Sequence, residues 1–449
     1  MTDLLGIGAS ALKSYQTALS AIGENVANAQ TPGYARRRVI LQESTVVGTG
    51  DIAYRPQVTF NGVTATGVAR AWDLFKAQEA RLATSSAGRA DVRQQWLGGV
   101  ETALDDGPSG IGASITSFFT AAASLASDPG DPLGRRSVLS ALDGAAGAFR
   151  NTGQALARIS EGIGQAAGLE VTALNDALNA LDDINGALAP AAANGSARAS
   201  LEDQRDQLID FIAGKIDVKV TIGGDGRATL AAGANASLSL LSDSGPSLVS
   251  LVPAADGRLS IQLSENGTIV PLPAAGGTLA GLVDIATTVA DRRSALDGLA
   301  ADFTSMVNSW SAAGRDANGS AGANLISAPG GAVTMQALAG DPDLVPAAAP
   351  GGASNGNLLA LDALRASSGV EGRWSALVSA NAQMLSSARA EAAASSKWRD
   401  SSLAALDEVT GVDLDTEAAE MLRFQQAYNA SARIIQVARE SIQALFDAL

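Results

Sequence analysis

Apolar positions at both ends of the chain recur at alternating intervals of three and four. Near the start, Leu12, Tyr15, Leu19, Ile22 and Val26 follow this rhythm. Near the finish, Phe424, Tyr428, Ile435, Ala438, Ile442, Leu445 and Leu449 follow it too, with Ser431 filling one slot. Such spacing places side chains on one face of an α-helix and suits a coiled-coil seam. A chain that opens and closes with a seam is expected to bring its termini together or to give both to neighbours. Leu12, Tyr15, Leu19, Ile22, Val26, Phe424, Tyr428, Ile435, Ile442 and Leu445 are therefore the candidate assembly interface.

Between the stripes the pattern predicts mainly α structure with one small β domain inserted, in an elongated multidomain rod. The first helix should run from about 3 to 29 and stop at Thr31-Pro32-Gly33-Tyr34, where proline fixes φ and glycine accepts the positive φ of a type II turn. Residues 36–70 read as extended, with a hairpin dipeptide at Asn61-Gly62. Helical patterning returns over 72–126, broken at Asp106-Gly107-Pro108. A long run then follows Asp128-Pro129-Gly130-Asp131-Pro132. Its apolar positions from Val138 to Leu188 imply on the order of 50 helical residues, or about 75–80 Å, although internal glycines such as Gly153 and Gly162 weaken it.

From Ile216 the period changes from 3.6 to 2, as Ile216, Val218, Val220 and Ile222 alternate with polar residues. Residues 216–275 thus read as a small antiparallel β domain. Helix resumes near 279, an irregular excursion spans 314–356, and helix continues to the end. The expected organisation is a terminal unit of 1–40 with 415–449, a helical bundle built discontinuously from 41–215 and 276–414, and the β domain between its halves.

Composition narrows the chemistry. With 31 basic and 46 acidic residues the net charge is −15, so neither nucleic acid nor an anionic membrane is an expected partner. The basic run Arg36-Arg37-Arg38 reads as a solvated turn. The chain has no cysteine and no histidine, which excludes disulfides, thiolate or imidazole metal sites, and histidine-based nucleophilic mechanisms. Gly162-Ile163-Gly164 with Gly168 lies in a helical pattern, not after a strand, so it is no dinucleotide loop. Asp316-Ala317-Asn318-Gly319 has its glycine too early for a calcium loop and reads as an Asx-type turn. Carboxylate pairs such as Asp182-Asp183 and Asp413 with Asp415 do not converge on a site. No catalytic residue, cofactor or metal is expected. Neither a secretory signal nor a membrane span is visible.

Two terminal helices alone would bury about ten large apolar residues, too few to offset the entropy of ordering about 60. They are expected to fray in a monomer and to become ordered among further partners.

Asn25-Val26-Ala27-Asn28-Ala29-Gln30-Thr31-Pro32-Gly33-Tyr34 resembles the N-terminal signature of bacterial flagellar rod, hook and hook-associated proteins. Thr410-Gly411-Val412-Asp413-Leu414-Asp415, Arg423-Phe424-Gln425-Gln426-Ala427-Tyr428 and Ala444-Leu445-Phe446-Asp447-Ala448-Leu449 narrow the resemblance to the hook-associated branch at the hook–filament junction. So do Ser117-Phe118-Phe119-Thr120, Asp203-Gln204-Arg205-Asp206-Gln207-Leu208 and the segment Gly314 to Gly322. The chain is shorter than typical members, and its β region is reduced.

The resemblance implies an extracellular axial protein, exported by the flagellar type III route without a cleaved signal. It implies a homo-oligomeric ring with terminal helices lining the inner core, contacting the hook protein and a second junction protein. A cytosolic export chaperone would hold the C-terminal helix. The alternatives are another axial subunit of the hook or rod, or a carboxylate-dependent hydrolase acting in the axial structure.

Overall fold

The computed structural model describes residues 2–47, 58–192, 195–233, 235–265 and 267–447. Its terminal unit has three layers. Helix α1 (Thr2–Asn28) packs on one side against α9 (Leu414–Asp447) and on another against an antiparallel ribbon of β1 (Arg37–Val47) and β2 (Val58–Arg70). The expectation of two lone helices therefore left out a third element. The ribbon runs back along α1, so that Ser14 Oγ donates to the Val63 carbonyl and accepts from Ala65 N.

Asn61-Gly62 is not the ribbon's turn, which falls outside the described residues. The dipeptide lies within β2, where the register shifts between Glu43↔Val63 and Thr45↔Phe60 and Gly62 has φ +84°. An extra residue at positive φ makes a β-bulge, which a glycine accepts as readily as a hairpin turn.

The body is a helical bundle. Helix α2 (Leu74–Ala103) is followed by α3 (Ile111–Leu125) and by α4 (Pro132–Leu188), which runs unbroken for 57 residues, about 85 Å. Asp131 caps α4 by accepting from Leu133 N and Gly134 N, and Pro132 occupies its first turn. The glycines do not break this helix because it is buried along its length, from Val138 through Phe149 and Leu156 to Leu188. The second half of the bundle is α6 (Gly277–Ala313), α7 (Gly356–Ser368) and α8 (Val370–Thr410), with α2 packed along both α6 and α8. Trp310, Trp374, Phe118, Phe149 and Phe303 form the centre of the main core.

The segment 314–356 is irregular, holding the two-residue strands β10 (Ile326–Ser327) and β11 (Gln336–Ala337). It is nevertheless part of that core, since Leu325, Ile326, Met335 and Val345 are fully buried. The Asp316 carboxylate accepts from Asn318 N and Ser320 N, an Asx-type turn.

A second core joins the far half of α4 to α5 (Ser196–Lys215) and two small sheets. One sheet orders β3 (Val218–Ile222), β4 (Ala228–Ala232), β5 (Asn235–Ser242) and β6 (Gly245–Pro246). The other orders β7 (Leu248–Pro253), β8 (Leu259–Glu265) and β9 (Thr268–Pro271). All pairings are antiparallel, and β8 joins β9 across Gly267 at φ +81°. No described helix is long and apolar enough to cross a membrane.

Candidate assembly site at the base of the terminal helices

The α1–α9 seam contains most of the C-terminal stripe and part of the N-terminal one. Tyr15 and Phe424 meet with ring centroids 6.0 Å apart, and Ile22 is buried. Phe424, Tyr428, Ile435 and Ile442 are half-buried beside the buried Glu417, Ser431 and Ala438. The Leu445 side chain lies outside the described residues, as does Leu449. On α1 the buried positions among the described side chains are Gly8, Ala11, Ser14, Ala18, Ala21, Ile22 and Asn25. Leu12 and Leu19 are only half-buried, and Val26 is 41% exposed. The expected N-terminal stripe thus overlaps the seam at Tyr15 and Ile22 and otherwise runs along its outer edge. The ribbon and α9 together draw the small residues inward and leave the larger leucines at the rim.

The seam ends in a polar joint that binds the terminal unit to the body. Asn25 is 1% exposed and makes four hydrogen bonds. Its amide nitrogen donates to the Arg37 carbonyl and to Glu417 Oε2, each at 2.9 Å. Its amide oxygen accepts from the Tyr34 hydroxyl and from Arg37 N, also at 2.9 Å. Glu417, equally buried, also accepts from Arg36 Nε at 2.6 Å. Burial pushes the Tyr34 hydroxyl up to about 12, although Arg37 nearby pulls the other way.

The turn after α1 closes with Tyr34 N donating to the Thr31 carbonyl, and Thr31 Oγ1 donates to Asn28 Oδ1. Gly33 takes φ +74°, as a type II turn requires at that position. Gln207 on α5 donates from Nε2 to the Pro32 carbonyl at 2.8 Å, and its side chain fills the space a Cβ on Gly33 would need. Arg36 N donates to the Thr410 carbonyl, so the turn is tied to the end of α8 as well. Asp413 caps α9. Hydrogen bonds from the Thr416 hydroxyl and Asp415 N hold its carboxyl below the usual range.

The Arg36-Arg37-Arg38 run corrects its sequence reading, because only Arg38 is exposed to solvent as expected. Arg37 bridges Glu24 on α1 at 2.9 Å and Asp203 on α5 at 3.0 Å. Arg70, at the end of β2, pairs with Asp203 at 2.8 Å and with Asp206 at 2.9 Å. Arg81 on α2 and Arg205 also reach Asp206, and Arg205 donates to the Gly226 carbonyl between β3 and β4. Trp72 lies under the guanidinium groups of Arg70 and Arg81. Burial pushes the Asp203 carboxyl up, opposed by Arg70 and Arg37. A line of paired charges therefore runs from the terminal helices through α5 to the β domain.

Sequence inspection missed these partners. One signal was present: Ala199, Asp203, Asp206, Ile209 and Ala213 share one face of α5, and all are buried. Charges on the apolar face of a helix must find partners when that face is buried. Among the described residues no cluster of carboxylates has the arrangement of a metal site.

Comparison with known proteins places these features in a family. Residues 5–34 match the flagella basal body rod protein family, and residues 405–448 match the C-terminal family of the flagellar basal body rod FlgEFG proteins. Curated relatives include flagellar hook-associated protein 1 of Salmonella typhimurium, 26% identical over 343 residues covering 73% of this chain and 60% of the relative. The Escherichia coli K12 protein of that name shows the same identity and coverage. The chain thus spans about 60% of the length of these relatives. The Bacillus subtilis protein of that name is 24% identical, with 98% of this chain and 96% of the relative covered. The structure of the flagellar hook junction protein FlgK from Burkholderia pseudomallei shares the fold, with a TM-score of 0.51 and 21% identity over 56% of this chain and 46% of that one. Because the model of the flagellar hook-associated protein FlgK helical domain matches residues 97–326, more than half of the chain, this protein belongs to the FlgK hook-associated family.

Proposed function

We propose that this protein is a structural component of the flagellar axis that joins hook to filament, assembling as a ring of copies through its terminal helices. The observation that carries the reading is the paired α1–α9 unit. It is tied by buried charges to a helical body of the hook-associated family, and an apolar rim remains on its surface. Leu12, Leu19 and Val26 on that rim, with the exposed Leu422, Ile434 and Val437 of α9, suit contacts with neighbouring copies in a closed tube.

The hook protein and a second junction protein would be the axial neighbours. A cytosolic chaperone would cover the C-terminal helix until export through the flagellar route. The role is structural rather than enzymatic, and the buried carboxylates serve as ion-pair partners within the joint. Electron microscopy of cells lacking the gene tests the reading. Hooks without filaments, with filament subunits shed into the medium, are expected. Normally attached filaments would overturn it.

A further inference from the structure

We infer that Asn25, Glu417 and Arg36 form a register lock for the α1–α9 pair, fixing where along one helix the other sits. The inference concerns the chain itself and does not depend on the flagellar reading.

The seam follows heptads. Ala11, Ala18 and Asn25 lie seven apart on α1, and Glu417, Phe424, Ser431 and Ala438 lie seven apart on α9. Most of these side chains are small, so sliding α9 by one heptad, about 10.5 Å, sets small residues against small residues again. Within the apolar part, the Tyr15–Phe424 ring contact and the seating of Ile435 over Gly8 oppose such a slide. The polar end is different. A slide would take Glu417 away from the Asn25 amide and the Arg36 guanidinium, the donors its carboxylate uses. Asn25 is itself held by the Tyr34 hydroxyl and by both backbone groups of Arg37, so it cannot follow α9. A buried polar group in an apolar helical seam specifies register because every other alignment leaves it without partners. The lock sits beside the turn that joins the terminal unit to α5 and α8. It therefore also fixes how far the free ends of both helices project from the body and which rim residues lie side by side.

Disulfide trapping reads register directly, because the chain has no cysteine of its own. In the full-length chain, Gly8→Cys with Ile435→Cys reports the native register. Gly8→Cys with Tyr428→Cys or with Ile442→Cys reports a slip of one heptad either way. With the lock intact, only the first pair should oxidise efficiently. Replacing Asn25 and Glu417 together by leucine should lower the native pair's yield at least about threefold and raise a slipped pair to a comparable level. Glu417→Gln, which keeps an acceptor in place, should retain the native pair. Protease protection of α6 monitors the body. Should the double variant lose it, Glu417→Leu alone carries the same comparison. An unchanged native yield in the leucine variants would overturn the inference. So would trapping of a slipped pair in the otherwise native chain as fast as the native one.

Discussion

Asp206 receives Arg70, Arg81 and Arg205 while almost wholly buried. Removing one partner from a buried charge cluster leaves the others uncompensated, typically at about 3–5 kcal/mol. Asp206→Ala is therefore expected to lower the unfolding free energy of the body by that amount, measured by urea titration. Gly33 is a second sensitive position. Gly33→Ala would place a side chain at positive φ and against Gln207, and should destabilise the joint by about 1–2 kcal/mol in the same assay. Tyr34 makes the joint sensitive to alkali. Its hydroxyl is raised to about 12 in the fold, so between the ordinary value of 10 and that point the unfolded chain loses the proton first. The stability gained from the neutral hydroxyl is whole below pH 10 and is lost as pH rises towards 12. The stability difference between the native chain and Tyr34→Phe should shrink across that window. The Pro-Gly turn was legible at this scale because its residues carry their own φ preferences. The partners of Arg36 and Arg37 were not, because Glu417 lies 381 positions from Arg36 and Asp203 lies 166 from Arg37.

At the scale of elements, α4 was legible because its apolar spacing persists beyond any cap, and burial outweighs the cost of its glycines. The switch from a period of 3.6 to 2 likewise marked β3 at Val218. The ribbon was harder to read, since Asn-Gly serves a bulge in β2 as well as it serves a turn. The N-terminal stripe was legible as helix, but its inward face was not. Apolar size pointed to Leu12 and Leu19, whereas close approach of α9 and the ribbon selects Ala11 and Ala18. The terminal unit should be graded in stability. Near Asn25 and Glu417 it has buried hydrogen bonds and three layers, while Phe446 is 70% exposed. Hydrogen exchange on the isolated chain should show strong protection at the joint, falling towards Leu4 and Phe446. Uniform strong protection along α1 and α9 would contradict the idea that the free ends await partners.

For the whole molecule, the order of helices, strand block and helices followed from periodicity, while the packing of 314–356 into the main core did not. That segment lacks period, yet its scattered Leu325, Met335 and Val345 fill space between helices. The joint holds α1 and α9 as one unit on the helical body. In the proposed role, contacts with neighbouring copies fall on the rim and seam of that unit. Leu19→Asp and Ile435→Asp place charges there, outside the core cluster that holds Trp310 and Trp374. The body should keep its fold in each variant. The most direct measurement is the amount of the doubly substituted chain in purified hook tips relative to the amount secreted into the medium, in cells that make no other copy. The doubly substituted protein is expected to be exported but absent from the tips, leaving hooks bare. Incorporation at the native level, with filaments attached, would contradict it.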